Sequence, residues 1–309
     1  MEALAAFLSG HAAFGLVAGI LEQGLIFGIM ALGVYISYKI LDFPDLSVDG
    51  TFPLGAAVAT RMILSGQNPW LSLLAAFFAG AAAGCLTGFF NVKLKIKDLL
   101  CGILVMTLLY SVNYRIAGAP NQFFMGADTI FSQVNGLFGS LPRALSPYMA
   151  LLVAFVITLL AKYVLDWYLS TKSGFLLRSV GDNPGLVVTL AQSPGKIKVI
   201  GLAISNGLVA LAGAVSCQRN VQFDISSGTG TIVMGLAAVI IGTTVFQKLK
   251  FMRITSAVLV GMVVYKACIT IAISLGLQSS DMNMVITILF VLTLVLNDFF
   301  AKKRRVGNA

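Results

Sequence analysis

The chain alternates long apolar runs with short polar connections, and the lengths of these runs predict membrane-spanning helices. A bilayer core of about 30 Å requires roughly 20 apolar residues per helix. Apolar segments that reach or approach this length occupy residues 13–38, 50–64, 70–91, 98–117, 147–168, 196–217, 231–246, 252–275 and 282–299. The pattern predicts an all-α integral membrane protein, a polytopic helical bundle of about 8–10 transmembrane helices.

The second segment is too short to cross a bilayer alone. Residues 51–64 supply only about 14 apolar positions, so the crossing must recruit the preceding polar stretch, DFPDLSVDG. Pro44 and Gly50 would break the helix there, and Asp49 or Thr51 would cap the part that follows. Non-helical backbone at membrane depth must be buried in protein or line a watery cavity. We therefore expect a broken helix whose first amides point into the bundle.

Polar side chains beside this break are candidates for a substrate pathway. Several transporter folds use discontinuous helices to present polar groups to a substrate, and ionisable residues within the membrane by default indicate function. Alternatively, Asp42 and Asp49 are ordinary interfacial charges and Asp45 caps a turn. The candidate pathway residues are Asp45, Ser47, Asp49 and Thr51, with Asn206 as a neutral candidate on another span.

Two further charges lie inside apolar runs. Glu22 falls in the first run and Lys266 near the middle of the eighth. If these helices are adjacent, the two side chains could pair, which would make each of them tolerable in the membrane. We favour a structural pair over a direct substrate contact, and both interpretations remain open.

The amino-acid composition is that of a membrane protein, and it indicates no boundary between domains. Of its 309 residues 58% are hydrophobic and 11% charged, with a mean hydropathy of +0.93, whereas a soluble domain is roughly 25% charged. No linker or composition shift appears, so residues 1–309 are expected to form a single transmembrane domain. The longest connections are an outer loop at 118–147 and an inner segment at 171–198.

The basic residues predict the orientation, because short cytoplasmic loops collect Lys and Arg. The formal net charge is +9, and alternate crossing places fifteen of the loop and tail cations on one side against four on the other. The N-terminus is therefore expected outside and the C-terminal AKKRRVGNA in the cytoplasm. The fifteen are Lys93, Lys95, Lys97, Lys162, Lys172, Arg178, Lys196, Lys198, Lys248, Lys250, Arg253, Lys302, Lys303, Arg304 and Arg305, and the four are Arg61, Arg115, Arg143 and Arg219.

A short apolar helix is predicted in the inner segment. Asn183 before Pro184 has the pattern of an N-cap followed by a first-turn proline, and the SPG at 193–195 would end the helix. The helix, at about residues 185–192, is too short to span the membrane. Its apolar face must pack either on its own transmembrane helices or in a groove of a partner protein.

The run GFLLRSVGDNPGLVVTLAQSPGKIKVIGLAISNGLVALAGAVSCQ, which begins at Gly174, resembles the cytoplasmic coupling region and following helix of ABC importer permeases. The similarity is to the branched-chain amino acid and ribose family. It continues through YKILDFPDLSVDGTFPLGAAVAT and residues 228–261, so it covers most of the chain. One departure is TLAQSPGK, where many relatives are richer in alanine and lack the proline. Within the family, the sequence is most similar to the amino-acid uptake group, including permeases linked to aromatic amino acids.

The resemblance implies a function and a set of partners. It implies the transmembrane permease of an ABC importer, paired with a second permease, most simply a copy of itself. Two cytoplasmic ATPase subunits and an extracellular substrate-binding protein or lipoprotein would complete the complex in a bacterial cytoplasmic membrane. Coupling helices of this family sit in a cleft of each ATPase subunit. By position, the coupling residues would be Arg178, Asp182, Asn183, Pro184, Leu186, Val187 and Leu190.

Other function classes are less well supported. The chain lacks a G-x-x-x-x-G-K-[ST] loop, so ATP and Mg²⁺ would be bound by the partner ATPase subunits rather than by this chain. One histidine and four scattered cysteines without C-x-x-C spacing indicate no metal site, and no catalytic residues are predicted. The alternative is a stand-alone secondary transporter or channel that uses intramembrane carboxylates. It is disfavoured because no internal inverted repeat is recognised.

Overall fold

The computed structural model describes residues 10–137, 146–246 and 252–274, together with positions 284, 287, 288, 291 and 295. Helices dominate these residues. The α-helices are α1 Gly10–Val34, α2 Val48–Leu64, α3 Pro69–Val92, α4 Asp98–Ala117, α5 Ile130–Leu137, α6 Ser146–Leu169, α7 Lys172–Asp182, α8 Pro184–Thr189, α9 Pro194–Asn220, α10 Thr231–Ile241 and α11 Ile254–Ser274. π-Helical turns at Tyr35–Ile40 and Gly242–Phe246 extend α1 and α10.

The predicted all-α membrane bundle is confirmed. In the described ranges, seven helical stretches are long and apolar enough to cross a membrane. With 17 residues, α2 falls short of that length, as the sequence predicts. The first eight predicted segments each contain a helix. Most of the ninth, at 282–299, lies outside the described residues.

Two short strands are the departure from an all-α structure. β1 Asn121–Phe123 pairs antiparallel with β2 Gln222–Asp224, and Gln122 lies opposite Phe223. The first follows α4 and the second follows α9, so the pair marks one end of the bundle, which we call the strand end. The opposite end, at the start of α9, carries α7 and α8 and is called the α8 end.

Helix α9 packs against α1, α2 and α3 and contributes many of the fully buried residues. Glycines allow the backbones to approach where the hydrophobic effect cannot drive association within a lipid environment. A Cβ at Gly55 would collide with the carbonyl of Ala210, and one at Gly213 with the carbonyl of Phe52. The contact between α2 and α9 therefore depends on the absence of side chains at these two positions.

The predicted break before the second span is present. The chain leaves its π-helical turn at Ile40 and is non-helical until α2 begins at Val48. The predicted caps, Asp49 and Thr51, are wrong, because both residues already lie in the first turns of α2. Oδ1 of Asp45 accepts a hydrogen bond from the amide of Ser47, two residues on, and this local turn starts the helix earlier.

Candidate functional site

A buried polar cluster occupies the break. The Asp45 side chain is 1% exposed, and its Oδ1 accepts hydrogen bonds from the Ser47 amide at 2.9 Å and the Ser47 hydroxyl at 2.5 Å. Its Oδ2 accepts from Nδ2 of Asn206 on α9 at 2.7 Å. Both carboxylate oxygens therefore have donors within the chain, which offsets part of the cost of burying a charge.

Asn206 joins the cluster to α2 as well. Its Oδ1 accepts from the Thr51 hydroxyl at 2.7 Å, and Ser47 receives a further hydrogen bond from Thr87 of α3 at 3.3 Å. All of these side chains are buried. The structure thus brings Asp45, Ser47, Thr51 and Asn206 together at one junction between α2, α3 and α9.

Asp49 faces a different helix from the other candidates. Its Oδ1 accepts from the Thr231 hydroxyl and the Ile232 amide, each at 2.9 Å, and its Oδ2 from the Gly230 amide at 3.2 Å. It therefore caps the start of α10 and not its own helix. A carboxylate is favoured at a helix N-terminus, where amides lack partners and carry partial positive charge.

The junction is closed in this conformation. Four of the five candidate pathway residues are at most 1% exposed and hydrogen-bonded to one another, and Asp49 is engaged with α10. A solute could reach these groups only if the junction opened. The hydrogen bonds of Asn206 join the start of α2 to the central helix α9, and those of Asp49 join the start of α10 to α2.

The predicted pair between Glu22 and Lys266 is not formed. Glu22 instead makes an ion pair with Arg219, through both Nε and Nη2 of the guanidinium. Nζ of Lys266 lies 3.5 Å from the ring centroid of Phe27. Because α1 packs against both α9 and α11, the carboxylate had two helices from which to take a partner.

All three charged side chains line one polar cavity of about 370 Å³, which Gln23, Ser216 and Asn220 also line. Sequence reasoning missed Arg219 as a site residue because it falls just beyond the predicted sixth span and counts there as a loop charge. In the structure it belongs to the last turn of α9. Only Glu22 and Lys266, which are charged residues within predicted spans, indicated from the sequence that a polar site lies here.

The short helix at the α8 end has the predicted cap. Oδ1 of Asn183 accepts from the Gly185 amide at 3.0 Å, and Pro184 is the first helical residue. The helix ends at Thr189, earlier than predicted, because Ala191 adopts a positive φ of 55° that turns the chain toward α9.

Its apolar residues divide between two faces. Val187 is fully buried against the chain's own core, whereas Leu186, Val188 and Leu190 are 50%, 60% and 56% exposed. The prediction that Val187 docks on a partner is wrong, because its side chain is buried within this chain and is not available to a partner. Val188 takes its place on the exposed face.

Arg178 and Asp182 are exposed on α7, beside the short helix. Arg178 lines a cavity of about 300 Å³ with Asp166 of α6 and Arg253 at the start of α11. Asp166 accepts from Lys162 at 3.1 Å, from Arg253 at 3.3 Å and from the Thr255 hydroxyl at 2.7 Å. This ionic group joins α6 to α11 beside the predicted coupling region.

Nothing in the sequence distinguishes Thr87 or Thr231 as site residues, since single threonines are common in apolar helices, and their roles depend on which helices meet.

No cluster of three or more His, Cys, Asp or Glu side chains suited to a metal ion occurs among residues 10–137, 146–246 and 252–274.

Comparison with known proteins identifies the family. Residues 16–297 match the family model described as branched-chain amino acid transport system, permease component. A tyrosine transport system permease protein of Clostridioides difficile is 41% identical over 275 residues, covering 89% of this chain and 89% of that protein. A ribose import permease protein of Escherichia coli is 28% identical over 228 residues, covering 73% of this chain and 68% of that protein.

A solved structure described as an inward-facing conformation of a metal-chelate type ABC transporter superposes with a TM-score of 0.49. It is 18% identical in sequence, covering 92% of this chain and 84% of that one. The family match spans nearly the whole chain and includes the broken helix, the buried junction and the short helix α8. This multi-pass membrane protein therefore belongs to the branched-chain amino acid transport system permease family, whose members are ABC transporter permeases that work with ATPase partners.

Proposed function

We propose that this chain forms the translocation path of an ATP-driven importer for amino acids, aromatic ones included. The observation that carries this proposal is the 41% identity with a tyrosine transport system permease across 89% of both chains. An extracellular binding protein delivers the solute. The family assignment disfavours the alternative, a stand-alone secondary transporter or channel, because a permease component takes its energy from partner subunits.

The proposed assembly contains two copies of this chain, two ATPase subunits and one binding lipoprotein in a bacterial cytoplasmic membrane. The basic residues support the orientation, with the strand end outside and the α8 end in the cytoplasm. The N-terminus is then outside and the C-terminus inside. The strand end meets the binding protein, and the α8 end meets the ATPase subunits.

In this proposal the Asp45 cluster is the internal gate of the path. It links α2, α3 and α9 through hydrogen bonds between side chains of Asn206, Thr51, Ser47, Thr87 and Asp45. Movement of α9 relative to α2 would separate Asn206 from Asp45 and expose polar groups to the path. Asp49 would transmit that movement to α10, whose first turn it holds.

Coupling begins at α8. Leu186, Val188 and Leu190 form an exposed apolar face that would occupy a cleft of the ATPase, and Arg178 and Asp182 flank it. Asn183 and Pro184 fix the start of the helix, and Val187 anchors it to the chain's own core. Pulling on α8 would act on α9, which follows it directly in the chain.

Reconstitution of the full complex in proteoliposomes tests the function. We expect uptake of labelled L-tyrosine that requires ATP, the ATPase subunits and the binding protein together. Uptake driven by an ion gradient without ATP would contradict the ABC assignment. ATP-dependent uptake of ribose, with no uptake of any amino acid, would contradict the substrate class. Normal uptake by both Asp45→Asn and Asp45→Ala would remove Asp45 from the gate.

A further inference from the structure

The polar cavity beside α1 contains more positive than negative charge. Arg219 and Lys266 line it with a single carboxylate, Glu22. Arg219 is neutralised by its ion pair with Glu22. In the described part of the chain, no carboxylate lies within ion-pair distance of Lys266. Among the described residues, the cavity therefore has one cation, Lys266, that is not in an ion pair.

Lys266 is deeply placed for a charged residue. It is 6% exposed and lies in the middle of α11, one of the spans. The Phe27 ring beneath its ammonium supplies a cation–π contact, and that ring stacks on Phe52 of α2 at 5.5 Å between centroids. Such a contact is worth only about 0.5–2 kcal/mol. A buried ammonium that no carboxylate of the described residues neutralises is costly, which indicates a role beyond packing.

From this we infer that the cavity is a substrate site, in which Lys266 binds the α-carboxylate of an amino acid in transit. This inference rests on the proposed function and names the site where that function recognises its substrate. The volume of about 370 Å³ lies within the roughly 300–1,000 Å³ typical of small-molecule pockets. An α-carboxylate is the anion that every amino acid carries, so the site would accept amino acids of different side chains.

The remaining lining suits the rest of a zwitterion. Each carboxylate oxygen of Glu22 can accept more than one hydrogen bond, so it can take the α-ammonium while paired with Arg219. Ser216 and Asn220 add neutral polar groups, and Phe27 offers an apolar surface. Ser216 and Asn220 also line a second cavity of about 200 Å³ that reaches Asp224 of β2. The site thus adjoins the strand end, where the binding protein would release its ligand.

The test compares two ligands that differ only in the carboxylate. The complex of permease and ATPase subunits is reconstituted in phosphatidylcholine nanodiscs, and binding of labelled L-tyrosine and tyramine is measured. We expect the wild type to bind tyrosine about 10-fold or more tighter than tyramine, because one charge-assisted hydrogen bond is lost. Lys266→Met should weaken tyrosine binding and should not weaken tyramine binding, so that the preference for tyrosine is lost. Lys266→Arg should retain the preference.

Arg115→Met is the matched control. Arg115 is an exposed cation in the last turn of α4, at the same end of the bundle and absent from the cavity lining. It should retain the tyrosine preference, and thermal unfolding should show that all variants fold. If Lys266→Met does not fold, the wild-type comparison decides alone, and equal affinity for tyrosine and tyramine overturns the site.

Two further results would also overturn it. One is normal tyrosine uptake and binding by folded Lys266→Met, which would leave the amino-acid importer intact. The other is a preference for tyrosine that is seen in phosphatidylcholine and disappears when phosphatidylglycerol is added, because an anionic lipid headgroup would then be the group that occupies Lys266. Failure of the proposed function looks different, since the wild-type complex would then take up no amino acid at all.

Discussion

Asn206 donates from Nδ2 to Oδ2 of Asp45 at 2.7 Å and so joins residues 161 positions apart in the chain. The same carboxylate fixes the start of α2 through the amide and hydroxyl of Ser47. One side chain therefore holds a helix start and the central helix α9 together. Because all three groups are buried, separating them leaves polar atoms without water or partners.

Removal of the Asp45 carboxylate should destabilise the permease. Asp45→Ala removes the nearer acceptor of the Asn206 amide group and of the Ser47 hydroxyl, and each keeps only a longer hydrogen bond of 3.2 Å. The expected cost is about 2–4 kcal/mol. Thermal unfolding of the purified protein in detergent would measure this as a lower Tm. Asp42→Asn is the control, because Asp42 is exposed and asparagine tolerates its positive φ. A Tm as high as that of this control would show that the junction does not depend on the carboxylate.

Asp49→Ala should loosen the start of α10 specifically. The Gly230 and Ile232 amides and the Thr231 hydroxyl lose their acceptor, and a lost cap typically costs about 0.5–2 kcal/mol. Hydrogen exchange at the Ile232 amide should accelerate by roughly 2- to 30-fold, following the free energy of local opening.

Asp224→Ala provides the comparison for that experiment. Asp224, the last residue of β2, accepts a hydrogen bond from the Ser226 amide at 2.8 Å and has no described contact with α10. Its loss should accelerate exchange at Ser226 and leave Ile232 unchanged. Equal exchange at Ile232 in the Asp49→Ala variant and the wild type would contradict the capping role.

The length of each apolar run was enough to predict the spans and the break between α1 and α2. That break follows from counting, since residues 51–64 are too few to cross a bilayer. The helix start at Val48 could not be predicted in the same way. It depends on a local turn made by Asp45, which competes with the capping groups of Asp49 and Thr51.

Partners within the membrane were harder to predict than the spans. Glu22 and Lys266 are recognisable as functional or paired charges, but hydropathy does not give the rotation of one helix against another. Arg219 took the carboxylate because α9 also borders α1. Val187 shows the same limit at one-residue scale, since a short apolar helix does not reveal which of its faces is buried.

Gly55→Ala should be strongly destabilising for its size. The new Cβ would meet the Ala210 backbone carbonyl, which no side-chain rotation can relieve, so α2 and α9 must separate. Overpacking of this kind typically costs about 1–3 kcal/mol. Gly15→Ala is the control, because a Cβ there meets nothing within 4 Å, and alanine favours helix. We expect a lower Tm for Gly55→Ala and no loss for Gly15→Ala, and equal Tm values would refute the close approach.

The two faces of α8 should respond differently to the same substitution. Leu186→Ser with Val188→Ser removes exposed apolar surface, so the fold should remain and ATPase binding should weaken by about 10-fold or more. Val187→Ser places a hydroxyl in the chain's own core, so it should lower the Tm of the permease alone. Titration of purified ATPase against permease in nanodiscs, with thermal unfolding of each variant, distinguishes the two effects. Unchanged ATPase affinity in the exposed-face variant would mean that α8 is not the docking element, even if Val187→Ser behaves as expected.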